Sequence, residues 1–399
     1  MADHAATTAA PAATGAATAP TTTTTGAAPA AAAAPTTPAA TGPRKWVIDA
    51  AGGPEALHLV DAILPPVVGA GCVRVAVGAS TATPGYDLVG DVTAVGAGVT
   101  RLAVGDRVAA MPTRGGMATV VDLPAGEVYK IRGDLDVTRA VSGVLTGVTA
   151  YQLVHRAAHV GAGAVVVVHG AAGGTGALVA ALARLAGAAT VYGTCSSRNA
   201  AAVAAAGITP IDYAGTVAWD AAIRADMTTR GIAGADAVFD HVMTGGYTGR
   251  GVALLRRGGR YVAYGLTSKS SPGEFSTGAA IGAMSRLWVQ GAINSWFDGR
   301  LAEFYNITRR RDAHPADFAA DLATVMDLIA AGSLRPTDDG RVWDFEGARD
   351  ALLSIAAGTH RGKQVIRMAP AVGAAGGGEG AAAAPAAAAA AAGGAGSSS

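Results

Sequence analysis

The 399-residue chain sets 30 Lys and Arg against 29 Asp and Glu, a formal net charge of +1, with no basic run longer than Arg309-Arg310-Arg311, so no electrostatic footprint for nucleic acid is visible. Its apolar windows, such as 164–168 and 177–192, are short or interrupted by Arg184 and fall below the roughly 18-residue criterion for a membrane span. Two cysteines, Cys72 and Cys195, are too few for a disulfide framework or a four-Cys zinc lobe.

Residues 1–43 open Met-Ala-Asp-His, contain no Lys or Arg, and are otherwise Ala, Thr, Pro and Gly. They read as a disordered tail rather than a signal or transit peptide, and a cytoplasmic location is expected. Residues 369–399, with Glu379 as their only charge, read as a second Ala/Gly-rich tail. The 325 residues between them hold 57 of the 59 charged side chains and all five Trp, enough for about two domains.

From 44 to 137, short β-like runs at 46–48, 57–60, 72–77, 89–95, 107–110 and 118–123, punctuated by Gly and Pro, predict a small barrel-like β domain. From 138 to 305 the rhythm changes. Apolar strands at 164–168, 190–193, 237–240 and 261–264 alternate with helix-length Ala/Leu segments, which implies α/β architecture with a doubly wound parallel sheet. Residues 306–368 carry an amphipathic helix over 316–331, with Phe318, Leu322, Val325, Met326 and Ile329 at helical spacing, then a strand near Val342, a helix from Glu346 and a strand near Val365.

The most informative stretch is Val165-Val166-Val167-Val168-His169-Gly170-Ala171-Ala172-Gly173-Gly174-Thr175-Gly176, a buried strand feeding a glycine turn and a helix. Gly173 permits close backbone approach to a pyrophosphate, Gly176 allows the helix to pack on the strand, and the helix start supplies N–H groups. Ala171 stands where the usual GxGxxG pattern has its first Gly. The next strand decides the nucleotide. An NAD site expects an acid about 20 residues beyond the glycines to grip the ribose hydroxyls. Here the strand ends in Cys195-Ser196-Ser197-Arg198-Asn199, donors and positive charge suited to a 2′-phosphate, so NADP is favoured. Cys195 itself reads as an inert buried thiol.

With Pro84-Gly85-Tyr86-Asp87-Leu88-Val89-Gly90, Ala94-Val95-Gly96, Val104-Gly105-Asp106-Arg107-Val108, Thr146-Gly147-Val148-Thr149-Ala150-Tyr151, the glycine turn and Arg361-Gly362-Lys363 in order, the chain resembles the medium-chain dehydrogenase/reductase superfamily, specifically its zinc-independent quinone oxidoreductase (zeta-crystallin-like) branch. The resemblance covers nearly all of residues 45–368. It implies a GroES-like β-barrel domain built from 44–137 and 306–368, a Rossmann NADP-binding domain over 138–305, an active site in the cleft and a homodimer. It also implies NADPH-dependent reduction of a small-molecule quinone or an activated carbon–carbon double bond. Carried over onto this sequence, Gly173, Gly174, Thr175 and Gly176 hold the pyrophosphate and Ser197 and Arg198 face the adenosine phosphate. Tyr213 lies near the adenosine end, while Asp240, Thr244, Gly265, Leu266 and Thr267 line the cofactor at the carboxyl edge of the sheet. Thr149 lies near the nicotinamide.

Zinc-dependent relatives place Gly-His-Glu where this chain has Gly85-Tyr86-Asp87, so no metal is expected. His155 and His159, four apart on one helical face, lack companion Cys ligands. The short-chain dehydrogenases, which need a Tyr followed four residues later by Lys, are excluded because no such pair occurs. A zinc-free reductase needs hydride transfer and a hydrogen-bond donor for the oxyanion, and Tyr86 is the candidate catalytic donor. Asp87 is better suited to satisfying backbone or an Arg than to acting as a base.

One departure stands out: only six residues, 79–84, separate Gly78 from Gly85, where the family inserts a much longer stretch that carries an Asn or Ser and a Tyr beside the nicotinamide. Three readings stay open: an open pocket that still works, a coding sequence short of one segment, or a catalytically impaired NADPH-binding or interaction protein on the same scaffold.

Overall fold

The structure is a computed structural model that describes residues 42–48, 53–82, 85–243, 246–265, 282, 285, 299–336, 341–358 and 362–368. The first strands, β1 (Arg44–Ile48) and β2 (Leu57–Asp61), pair antiparallel. Next come β3 (Cys72–Thr81), β4 (Leu88–Val95), β5 (Arg107–Ala110), β6 (Val120–Pro124) and β7 (Val128–Lys130). In β3 every second residue, Val73, Val75, Val77 and Ala79, is buried, as the two-residue period of a strand requires when one face meets a core. On the other face Arg74 faces Asp122 of β6 in register and grips both of its carboxylate oxygens, at 2.7 and 2.8 Å.

A helical run follows, beginning at Asp136, whose carboxylate accepts the Thr138 and Arg139 N–H groups as an N-cap. It consists of α1 (Val137–Ser142) and α2 (Val148–Gln152), each succeeded by a wider π-turn, Gly143–Gly147 and Leu153–Ala157. The second π-turn ends the run, and His159, with φ of 51°, lies beyond it. His155 instead stacks on Tyr151 at 4.4 Å between ring centroids, so the two histidines do not form the helical pair their spacing suggested.

From here strands and helices alternate: β8 (Val165–Val168), α3 (Gly174–Leu185), β9 (Thr190–Cys195), α4 (Ala200–Ala205), β10 (Thr209–Asp212), α5 (Trp219–Thr229), β11 (Ala235–Asp240), α6 (Tyr247–Leu254), β12 (Leu255–Tyr264) and β13 (Leu301–Tyr305). All six strands are parallel, in the order β10-β9-β8-β11-β12-β13. The order reverses between β8 and β11, the switch point beside which ligands of such sheets collect. The unbroken Val run of β8 is explained by burial on both faces: Val166 and Val168 enter one hydrophobic cluster and Val167 the other.

The chain closes with α7 (Ile307–Ala313), α8 (Pro315–Ala330), β14 (Val342–Asp344), α9 (Ala348–Ala356) and β15 (Val365–Arg367). Phe318, Leu322, Val325, Met326 and Ile329 of α8 are buried. Strand β15 pairs antiparallel with the far end of β3 and parallel with β14, so the last strands extend the seven-stranded sheet begun by the first part of the chain. Helix α8 is tied to α2 and β13 by a buried polar network. Asp321 accepts from Gln152 (2.6 Å) and from two Arg156 nitrogens (2.7 and 2.8 Å), while the Tyr305 hydroxyl donates to Gln152 Oε1 at 2.7 Å. Among the described residues no helix is long and apolar enough to cross a membrane.

Candidate active site

The glycine turn is held by three hydrogen bonds to the two neighbouring strands. His169 N–H donates to Phe239 O of β11 at 2.9 Å, Gly170 N–H to Thr194 Oγ1 at 3.2 Å, and Ala171 N–H to Thr194 O of β9 at 3.0 Å. Two positions in the turn exclude a side chain. Gly170 has φ of 68°, and a Cβ there would lie 2.3 Å from the His241 ring. At Gly176 a Cβ would lie 2.3 Å from the Gly170 carbonyl oxygen, which is backbone and cannot yield without moving the turn. Gly170, rather than position 171, therefore does the work of the first glycine, a role the sequence comparison with GxGxxG had left unassigned. Ala171 is buried, its methyl directed at Gly193 of β9. Helix α3 begins at Gly174, and its first N–H groups have no intrahelical acceptor, which makes the turn a cradle for an anion.

Behind this cradle His169 is fully buried, with Nδ1 3.2 Å from Thr194 Oγ1 and its ring edge-on to Trp219 and Tyr247 at 4.5 and 5.0 Å. Burial pushes its imidazole down to about 4, so it is neutral at physiological pH.

At the end of β9, Ser197 and Arg198 are exposed. The Arg198 guanidinium donates to Gly358 O at 2.8 Å, just past α9. Tyr213, 42 % exposed, donates its N–H to Cys195 O at 3.2 Å, which keeps the end of β10 beside that of β9. The Cys195 thiol is buried, and its pKa is raised by burial and by Asp212.

Asp240 ends β11. Its carboxylate is fully buried and accepts hydrogen bonds from the Val242 N–H at 2.7 Å, the Met243 N–H at 3.3 Å and the Tyr261 hydroxyl. Burial and that carboxylate raise the Tyr261 pKa well above its ordinary value. The Asp240 side chain thus braces its own loop. Gly265, φ 61°, follows β12 at the exposed carboxyl edge, while Thr244, Leu266 and Thr267 lie outside the described residues. Thr149 is buried in α2.

The first half of the shortened segment is strand. Strand β3 runs through Thr81, and Ala79, Ser80 and Thr81 pair with β15. Beyond it the backbone turns at Gly85, φ 66°, to half-buried Tyr86 and fully buried Asp87. The Asp87 carboxylate accepts a hydrogen bond from Thr81 Oγ1, its backbone oxygen accepts from Ser80 Oγ at 2.8 Å, and Lys363 Nζ lies 3.9 Å from its Oδ2. Motif spacing shows neither the Ser80 and Thr81 contacts nor the partnership with Lys363, because the first depend on how β3 ends and the second on the return of the chain's last segment. Next to Lys363, Gly362 forms a parallel bridge with Gly173 of the glycine turn, so the seven-stranded sheet and the turn meet here.

The chain matches the family described as alcohol dehydrogenase GroES-like domain over residues 68–160 and the family described as zinc-binding dehydrogenase over residues 209–366. The donor set does not fit the metal of the second description. Tyr86 stands at the histidine position, Asp87 is committed to Thr81 and Lys363, and no three His, Cys, Asp or Glu side chains gather among the described residues. A synaptic vesicle membrane protein VAT-1 homolog of Homo sapiens is 27 % identical over 298 residues, 72 % of each chain. Among solved structures, Escherichia coli quinone oxidoreductase complexed with NADPH superposes with a TM-score of 0.66 at 19 % identity over 81 % of this chain and 99 % of that one. CurK enoyl reductase also gives 0.66, at 18 % identity over 82 % and 99 %.

Proposed function

The chain belongs to the medium-chain dehydrogenase/reductase superfamily, a superfamily of oxidoreductases, and on that premise we propose that it is an NADPH-dependent reductase of quinones or of activated carbon–carbon double bonds, working without a metal. The observation that carries the reading is the backbone cradle at Gly170 and Gly176, followed one strand later by exposed Ser197 and Arg198 with no acid in the ribose position. In this assignment Gly173, Gly174, Thr175 and Gly176 hold the pyrophosphate and Ser197 and Arg198 the 2′-phosphate. Tyr213 borders the adenosine, Gly265 the carboxyl edge, and Thr149 the nicotinamide.

NADPH, when bound, supplies the hydride. The protein's part is orientation, for which the turn, braced by Thr194 and Phe239, is suited, and a hydrogen bond to the oxygen on which negative charge develops. We assign that donor role to the Tyr86 hydroxyl. Asp87 is spoken for by Thr81 and Lys363 and is no general base.

A second reading is favoured by one observation: β3 runs on to Thr81 and pairs there with β15, only four residues before Gly85, where a longer loop would form the first wall of a substrate pocket. In that reading the chain binds NADPH without turnover. NADPH oxidation with 9,10-phenanthrenequinone and with an enone, run beside a fluorescence titration of NADPH, separates the two. Turnover above blank supports the reductase, binding alone supports the second reading, and no binding refutes both.

A further inference from the structure

The assignment above leaves unused one pair of buried ionisable groups, Asp87 and Lys363, which are 0 % and 9 % exposed. Asp87 Oδ1 is engaged by Thr81, whereas Asp87 Oδ2 has no hydrogen-bond partner, and Lys363 Nζ is the cation facing it at 3.9 Å. An isolated carboxylate in such surroundings is costly, and the cation that offsets it is brought from the far end of the chain by the fold. Burial raises the Asp87 pKa and lowers that of Lys363, and each charge opposes the shift of the other.

What makes the pair more than a structural rivet is the backbone it anchors. Lys363 follows Gly362, which bridges Gly173, and a Cβ on Gly174 would lie 3.5 Å from both Gly362 C and Lys363 N. The chain of contacts therefore runs Asp87, Lys363, Gly362, Gly173, from the start of β4 to the floor of the cradle. We propose that Asp87 and Lys363 are positioning residues for the glycine turn: their ion pair holds the Gly362–Lys363 backbone against Gly173 and Gly174, and dinucleotide affinity depends on it. The proposal rests on the reading that this turn holds a dinucleotide. It gives the pair no contact with the reacting atoms.

The test is fluorescence titration of NADPH against wild type, Asp87→Asn, Lys363→Met, the double variant and Lys363→Arg, each at a temperature well below its own unfolding midpoint. Either single loss is expected to raise Kd at least tenfold, and Lys363→Arg to stay within threefold of wild type. The double variant, which buries no charge, guards against misfolding of the singles and is also expected to bind at least tenfold more weakly. Lowered unfolding midpoints with unchanged Kd would make the pair merely structural and overturn the proposal. Wild type that binds no NADPH would instead overturn the nucleotide reading, and the proposal with it. A second measurement needs no variant: saturating NADPH should slow hydrogen exchange in wild-type peptides covering 170–178 and 362–368 together. Protection of the first without the second refutes the coupling.

Discussion

Acidification should unfold this protein partly through His169. Its imidazole meets the stacked Trp219 and Tyr247 rings edge-on, with Thr194 at Nδ1, while Asp240, His241 and Arg250 are the charged or titratable groups that act on it. Burial holds its pKa at about 4 against the ordinary 6.5. Between those values the unfolded chain takes up a proton that the native state refuses, so stability is complete above pH 6.5 and falls as the pH drops toward 4. At 1.36 kcal/mol per pH unit the loss from this residue reaches about 3 kcal/mol. His241, also lowered by burial, adds loss in the same direction, so a comparison must isolate His169. Urea unfolding at a series of pH values from 7.5 to 4.5, on wild type and His169→Gln, does this: the variant should start less stable at pH 7.5 and lose about 2 to 3 kcal/mol less on the way down. Parallel curves for the two proteins would refute the argument and place the acid sensitivity elsewhere.

The cradle makes a paired prediction: Gly176→Ala, whose methyl meets the Gly170 carbonyl, should weaken NADPH binding at least tenfold by titration, while Gly174→Ala, at an ordinary 3.5 Å contact, should stay within threefold. Reversing the charge with Arg198→Glu should raise the Kd for NADPH about tenfold more than that for NADH, an energy of about 1.4 kcal/mol; equal effects on both would remove Arg198 from the phosphate site. Asp321→Ala leaves the buried Gln152 amide N–H without its acceptor, while Arg156 keeps Asp317 at 3.1 Å, and should cost about 1 to 3 kcal/mol in chemical denaturation.

Local chemistry carried much of this protein in plain view. The alternation of β3, the four valines of β8 and the spacing of apolar residues in α8 each announce which faces are buried, because a residue's side within a strand or helix depends only on its offset from its neighbours. The glycine turn is equally local: its strand, turn and helix are one continuous stretch. Strands β10 and β13 escaped notice because they form the two edges of the parallel sheet and are shorter of apolar runs, Thr-Pro-Ile-Asp and Leu-Ala-Glu-Phe-Tyr. Other features were decided only by tertiary structure. The partners of Asp240 are one such feature: the folded loop turns its carboxylate onto Val242, Met243 and Tyr261. The six-residue interval before Gly85 looked like a missing loop, and pairing with β15 made part of it strand. Asp87 and Lys363, like Gln152 and Asp321, are partners from distant parts of the chain. The pattern of a sequence says which groups must be buried; which opposite charge then meets them is chosen by topology, because an unpaired buried charge is tolerated only where the fold brings a partner to it.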